Sequence, residues 1–296
     1  MLTGASVAVT IFVLLTREHE PSYQGKCLTE WLVKERNGNF TIQSSPEANE
    51  AIRHIGTNAL PYLVRWVDDN SSKGFKSLVN KLPDAIKPML LRRWANDDFN
   101  GKRAASAALA FAQLGDEARF AIPELTAVMN NAVMTNSATI NASLRAIVAL
   151  RGIGKSSIPA LTAQLANTNA PAPNQRLVVL SFGSDPSLAT NAACSAAVPL
   201  LVRWLNNPDE SIARAAIRSL GRMAEYDRSQ ASLVVPALMD CLHSNFPVDT
   251  RGEAALALGK YGVSASNATP GLLAAMADSA PMVRLQATNA LLKIAP

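Results

Sequence analysis

Aromatic side chains are scarce in this chain: they make up 5% of 296 residues, although 48% of the residues are hydrophobic. Ala and Leu supply the difference, and the β-branched and aromatic enrichment of a sheet protein is missing. That excludes a large β-sandwich or barrel and points to closely packed helices. Cysteine is equally sparse. Cys27, Cys194 and Cys241 stand far apart, which gives neither a disulfide framework nor a zinc-binding spacing. Histidine occurs three times, as His19, His54 and His243, never with a second ligand at helical spacing. Gly-x-Gly-x-x-Gly, a Walker loop and Gly-x-Ser-x-Gly are all absent. Adjacent carboxylates such as Asp68-Asp69 and Asp97-Asp98 read as helix-end charges rather than an acid–base pair. No catalytic residue, cofactor or metal is therefore expected.

The net charge is +5. The basic excess is spread along the chain except between Arg65 and Arg103, where nine basic residues face five acidic ones.

What the chain does contain is repetition. Asp209-Glu-Ser-Ile-Ala-Arg-Ala-Ala-Ile-Arg-Ser-Leu-Gly221 reads as one helix. Asp209 is placed to cap its first turn, and Ile212, Ala216, Leu220 and Met223 recur on one face. Two landmarks of this unit return along the chain. The first is a helix of small residues ending near Gly, at Gly56, Gly115, Gly154, Gly183, Gly221 and Gly259. The second is a proline opening another helix, at Pro61, Pro123, Pro159, Pro199, Pro236 and Pro270. Between Pro123 and Pro270 the prolines are 36, 40, 37 and 34 residues apart, a period that two helices and their turns would fill. Pro88 divides the longer gap from Pro61 to Pro123. Trp66, Trp94 and Trp204 occupy one position in the unit, which suits core contacts better than a binding cage.

The pattern Asp-x-x-x-x-Arg-x-x-Ala-x-x-x-Leu-Gly followed by a Pro-led helix resembles HEAT repeats, over about Glu47 to Pro296. It is clearest in Asp209–Gly221, Asp249–Gly259 and Asp278–Leu292. The resemblance implies an all-α, right-handed α-solenoid of about seven HEAT-like helical hairpins. It also implies a non-enzymatic protein–protein interaction scaffold. From helix phase on the second helices, the candidate partner-binding residues are Tyr62, Arg65, Arg92, Arg203, Asp240 and His243. Asp98 with Arg103, Asp209 with Arg214, and Asp278 with Arg284 are candidates for an inter-repeat ladder, since residues five apart on a helix do not face each other. Asp249 and Arg251 depart from that spacing. Residues 184–193 read as an insertion, and the helix from Pro281 as a cap on the stack.

Related folds suggest an alternative. HEAT-like DNA glycosylases use tryptophans and an Asp on a basic surface, and Trp66, Trp94, Arg65, Arg92, Arg93 and Asp97 stand near one another in the early repeats. Against a nucleic-acid partner, the later second helices are nearly uncharged. HEAT-like di-iron enzymes use His-Glu dipeptides inside the repeats, and here the single His-Glu, His19-Glu20, precedes them.

At the N-terminus, residues 1–16 hold an uncharged apolar run that reads as a short membrane anchor or signal-like segment. Residues 17–46 read as a linker with a short amphipathic helix, and residues 47–296 as the solenoid. Tyr23-Gln-Gly-Lys-Cys-Leu-Thr-Glu-Trp-Leu32 resembles the lead-in of bacterial membrane-tethered HEAT-repeat proteins. The expectation is thus a protein held at a bacterial envelope by one anchor, with its orientation unassigned.

Overall fold

A computed structural model describes residues 20–36, 39–68, 97–183 and 192–294. The chain divides into two compact units, residues 1–153 and 154–296. Each is built from α-helical hairpins laid side by side, so the fold is an all-α solenoid. The segment expected as a further repeat around Pro88 lies outside the described residues, as does the expected insertion at 184–193 except for residues 192–193, which open a helical turn.

The first unit opens with a small module where a linker was expected. Strands β1 (Ser22–Tyr23) and β2 (Lys26–Cys27) pair antiparallel through Gln24 and Gly25, both at positive φ. Two such residues give the hairpin turn whose twist matches the strands. Helix α1 (Leu28–Leu32) follows. The Glu20 carboxylate accepts hydrogen bonds from the Thr29 amide and hydroxyl, both at 2.9 Å, and satisfies its free first turn. A second hairpin, β3 (Val33–Arg36) and β4 (Asn39–Ile42), pairs Val33 with Ile42 and Glu35 with Phe40. Leu28, Trp31, Leu32, Val33 and Phe40 are buried beneath the module. The Tyr-x-Gly-Lys motif is thus a folding element: Trp31 Nε1 donates to the Tyr23 carbonyl, and Lys26 lies over the indole.

Helices α2 (Pro46–Ile55) and α3 (Leu60–Val67) form the first hairpin of this unit. Helices α4 (Asp97–Leu114) and α5 (Ile122–Asn130) form the next, and α6 (Ser137–Ile153) lies against both. The N-terminal module packs on α2 and α4, with the Phe40 ring edge-on to Phe99 at 5.1 Å. It covers a flank that an end hairpin would otherwise leave open to water.

The second unit begins with α7 (Ile158–Leu165) and α8 (Ala172–Ser181), then the single turn α9 (Ala192–Ser195) and α10 (Val198–Trp204). Helices α11 (Glu210–Met223) and α12 (Ala231–Asp240) pair, as do α13 (Val248–Tyr261) and α14 (Thr269–Ala275). Helix α15 (Pro281–Ile294) closes the described part. First helices neighbour first helices: α8, α11, α13 and α15 run side by side in that order.

The glycine landmark resolves into two different devices. Gly56, Gly115 and Gly154 have φ of 61°, 54° and 88°, as does Gly262 at 56°, and each turns the chain from one helix towards the next. Gly221 and Gly259 within helices, and Gly183 in the turn just after α8, serve close approach instead. A Cβ on Gly183 would stand 2.6 Å from Ser219 Cα, on Gly221 3.0 Å from Ala257 Cβ, and on Gly259 2.9 Å from Ala290 Cα.

The proline landmark holds at the start of α3, α5, α7, α10 and α14. Pro236 differs, standing inside α12, which begins five residues earlier at Ala231. Ser232 and Pro236 are both exposed there, so water can take up the carbonyl that the missing amide leaves free. Two residues after each of these six prolines comes a leucine with no exposed surface: Leu63, Leu125, Leu161, Leu201, Leu238 and Leu272.

The placement at a membrane through one N-terminal anchor is overturned. Among the described residues, no helix is long and apolar enough to cross a membrane. The anchor segment, residues 1–16, lies outside the described residues. Its uncharged run of 15 residues would reach only about 22 Å as a helix, short of a hydrocarbon core of about 30 Å.

Helix α15 meets α13 at Ala290 as α13 meets α11 at Ala257, so Leu292 falls where Gly221 and Gly259 stand in the earlier helices. Leu292 is 67% exposed. A leucine there keeps a further first helix from approaching as closely. Gly259→Val is expected to destabilise the second unit by about 1–3 kcal/mol, the usual cost of forcing atoms into a filled contact. Leu292→Ala, at the equivalent but open position, should leave stability nearly unchanged. Urea midpoints of both variants provide the check, and equal shifts would contradict the close-approach reading.

Candidate interaction surface

Each second helix presents the same two positions to solvent: its proline and the residue four further on. In the first unit these are Pro61 with Arg65 and Pro123 with Ala127, all exposed. In the second unit they are Pro159 with Ala163, Pro199 with Arg203, Pro236 with Asp240, and Pro270 with Ala274, again all exposed. A four-residue step brings a helix back to nearly the same face. The fifth residue after the proline turns inward, and Trp66 and Trp204 hold that place, 2% and 6% exposed. Trp204 Nε1 donates to the Leu165 carbonyl at 3.0 Å, so the indole closes the end of α7 while it fills the core.

The sequence-proposed contact residues distribute as follows. Arg65 is exposed beside the half-buried Tyr62, 5.9 Å from its ring, and the Tyr62 ring tilts against Trp66. Arg203 and Asp240 are exposed on the neighbouring helices α10 and α12. His243 is exposed in the turn after α12. Arg92 lies outside the described residues. The surface between these charges in the second unit is made of small or apolar residues, with Leu233 and Leu273 partly exposed.

The opposite side, formed by the first helices, is chemically different. Its charges are joined from repeat to repeat. Arg214 Nη1 donates to Asp249 Oδ2, and Arg218 donates through Nε and Nη2 to Glu253 Oε1. Lys260 pairs with Glu225 at 2.8 Å. Arg251 is the best-enclosed rung: its Nε and Nη2 each meet one Asp278 oxygen at 2.8 Å, and its Nη1 donates to the Phe246 carbonyl. The side chains of this pair are only 7% and 9% exposed.

The expected ladder pairs are assembled otherwise. Asp209 accepts from the Ser211 amide and hydroxyl, which hold its carboxyl below the usual range, with a smaller contribution from the charge of Arg176 on α8. Arg214 finds Asp249, 35 residues on, because one repeat length separates facing positions. Arg284 donates to the backbone carbonyls of Asp278 and Ser279, leaving the Asp278 carboxylate to Arg251. Arg103 is buried over Trp66 and Phe99 and donates to Asn100 Oδ1. The Asp98 side chain lies outside the described residues. Spacing within one helix set Arg251 aside as a rung; an Arg and an acid one period apart find the Arg214 and Arg218 rungs, each 35 residues long, but not the 27-residue step from Arg251 to Asp278.

Between α11 and α13 the close approach leaves a shallow groove of about 140 Å³ over Gly221 and Ala257, edged by Arg218, Arg222, Glu253 and Lys260. Most of its charges are already paired. The thiols offer no nucleophile: burial pushes Cys27, Cys194 and Cys241 each up to about 11. His54 stacks on Tyr23 and lies near Glu50, and among the described residues no group of three His, Cys, Asp or Glu could hold a metal ion.

Several solved structures have a similar fold. A designed armadillo repeat protein is 14% identical, with 79% of this chain and 99% of that chain covered and a TM-score of 0.47. An engineered protein is 18% identical, with 80% and 98% covered and a TM-score of 0.49. The karyopherin Kap121p bound to Pho4p is 14% identical, with 80% of this chain but 29% of that chain covered and a TM-score of 0.48. None reaches a TM-score of 0.5, so the assignment of fold rests on the hairpins themselves. The chain is a helical-repeat protein. No protein-family model matches it, and no curated protein does.

The Arg251 guanidinium holds the Asp278 carboxyl below its ordinary value. A carboxyl depressed in the folded state stabilises above its unfolded pKa of about 4, and that contribution is lost as pH falls through the folded value. Asp278→Asn should cost about 3 kcal/mol at pH 7, because it strands an enclosed guanidinium. The gap in urea midpoint between variant and wild type should narrow below about pH 4. A gap that stays constant from pH 7 to pH 3 would contradict the pairing.

Proposed function

We propose that this chain is a non-enzymatic scaffold that docks a partner protein on the face formed by its second helices. The observation that carries this reading is the unequal treatment of charge on the two sides of the second unit. First-helix charges are largely neutralised from repeat to repeat, whereas Arg203 and Asp240 stand exposed with no ion pair among the described residues. An unpaired charge next to small apolar positions retains its capacity to select a partner. Arg203, Asp240 and His243 are the proposed contacts on the second unit, and Tyr62 and Arg65 those on the second-helix face of the first.

A nucleic-acid partner is less well supported. Trp66, which would have to stack on a base, is buried against Arg103. In the second unit the row four residues past the prolines holds one basic and one acidic residue, whereas a duplex requires positive charge along the whole path.

The test is site-specific photo-crosslinking in the native source. A photoreactive residue at Ala163 or Ala274 is expected to trap the same partner, and one at Arg222 on the first-helix side is not. Trapping from Arg222 alone would place the interface on the wrong side. Tight binding of duplex DNA that weakens steeply between two salt concentrations, read by fluorescence anisotropy, would overturn the protein-scaffold reading.

A further inference from the structure

The four second helices of the second unit form a strip with two rows. One row is Pro159, Pro199, Pro236 and Pro270, and the other is Ala163, Arg203, Asp240 and Ala274. The outer members of both rows are uncharged and too small, or too rigid, to reach out. The two inner members of the second row carry opposite charges on α10 and α12, which pack beside each other. Neither Arg203 nor Asp240 makes an ion pair or side-chain hydrogen bond with another described residue, although they occupy matching positions on adjacent helices. The strip is therefore an electrical dipole one helix spacing long, set in an apolar surround.

We infer that this strip takes an extended segment of a partner protein that carries one acidic and one basic side chain three residues apart, flanked by small or apolar residues. The spacing follows from the fold. Packed helices lie about 8–10 Å apart, and a segment in the extended polyproline II conformation has three residues per turn and advances about 3.1 Å per residue, so side chains three apart share one face and span one helix interval. The acidic group faces Arg203 and the basic group faces Asp240. The flanking residues cross Ala163 and Ala274, where a charge would lose water without gaining a partner. A polyanion is disfavoured because Asp240 would repel it, and a polycation because Arg203 would. This inference rests on the second-helix face being the docking face.

The experiment uses the full chain and three labelled dodecapeptides of alanine and proline, which favour that extended conformation. They carry Glu and Lys three positions apart, two Glu, or two Lys, and binding is read by fluorescence anisotropy. The Glu/Lys peptide is expected to bind about tenfold more tightly than the other two, the scale of one close charge pair. Arg203→Glu and Asp240→Lys should each remove about that preference, and the double exchange, which restores one charge of each sign, should recover it. Both positions are exposed, and far-ultraviolet circular dichroism confirms that the variants remain helical.

Equal binding of all three peptides, no binding by any, or no recovery in the double exchange overturns the inference. If the partner still crosslinks from Ala163 and Ala274 in that case, the docking face stands and only the charge assignment falls. If the chain instead forms a concentration-dependent dimer that Arg203→Glu dissolves, the strip binds a second copy, and the extended acidic–basic segment is not its ligand.

Discussion

In the second unit the first helices approach until backbone meets side chain, with Gly183 on Ser219, Gly221 on Ala257 and Gly259 on Ala290. Close-packed interiors have no slack for an added methyl group at such a contact. Once this separation is set, other features follow from it. The second helices must fill the space beneath, which is why a leucine with no exposed surface recurs two residues after each proline. The Ser219 hydroxyl can reach the Val179 carbonyl, and the Tyr261 hydroxyl the Leu220 carbonyl, so each helix donates into its predecessor.

The same separation brings long charged side chains within reach of the next repeat. Arg214 and Arg218 find Asp249 and Glu253 one helix away rather than within their own. Exposed pairs of this kind contribute little to stability, typically well under about 1 kcal/mol each. Their effect is to leave that side with few uncommitted charges. Arg251 and Asp278 are the exception in energy, since both are largely enclosed and bidentate. In the second unit the side formed by the second helices has shorter and mostly uncharged residues, and Arg203 and Asp240 make no ion pair among the described residues.

The ends of the described stack are handled by different chemistry. In the first unit a pair of small hairpins and a one-turn helix lay Trp31, Val33 and Phe40 over the first helices. In α15 the glycine position becomes Leu292, Arg284 folds back onto its own carbonyls, and Thr288 satisfies its hydroxyl on the Arg284 carbonyl. The first arrangement covers apolar surface of the first helices, whereas α15 leaves Met282, Leu285 and Leu292 exposed.

The periodic prolines, the apolar phase of each helix and the inward-facing tryptophans are local or nearly local properties. They were legible in the sequence because a helix imposes its own spacing on whichever residues must be buried. The second hairpin was less visible: residues 17–46 read as a linker with one short helix, although an Asn-Gly dipeptide between alternating residues is a strong turn signal. What each glycine does, which acid each arginine meets, and which charges remain unpaired were settled only by tertiary structure. A helix's pattern shows which side it buries, but a pair across repeats depends on the register between two helices. The contacts that fix this register are a glycine on one helix and a small residue on another, some 31 to 36 positions along the chain.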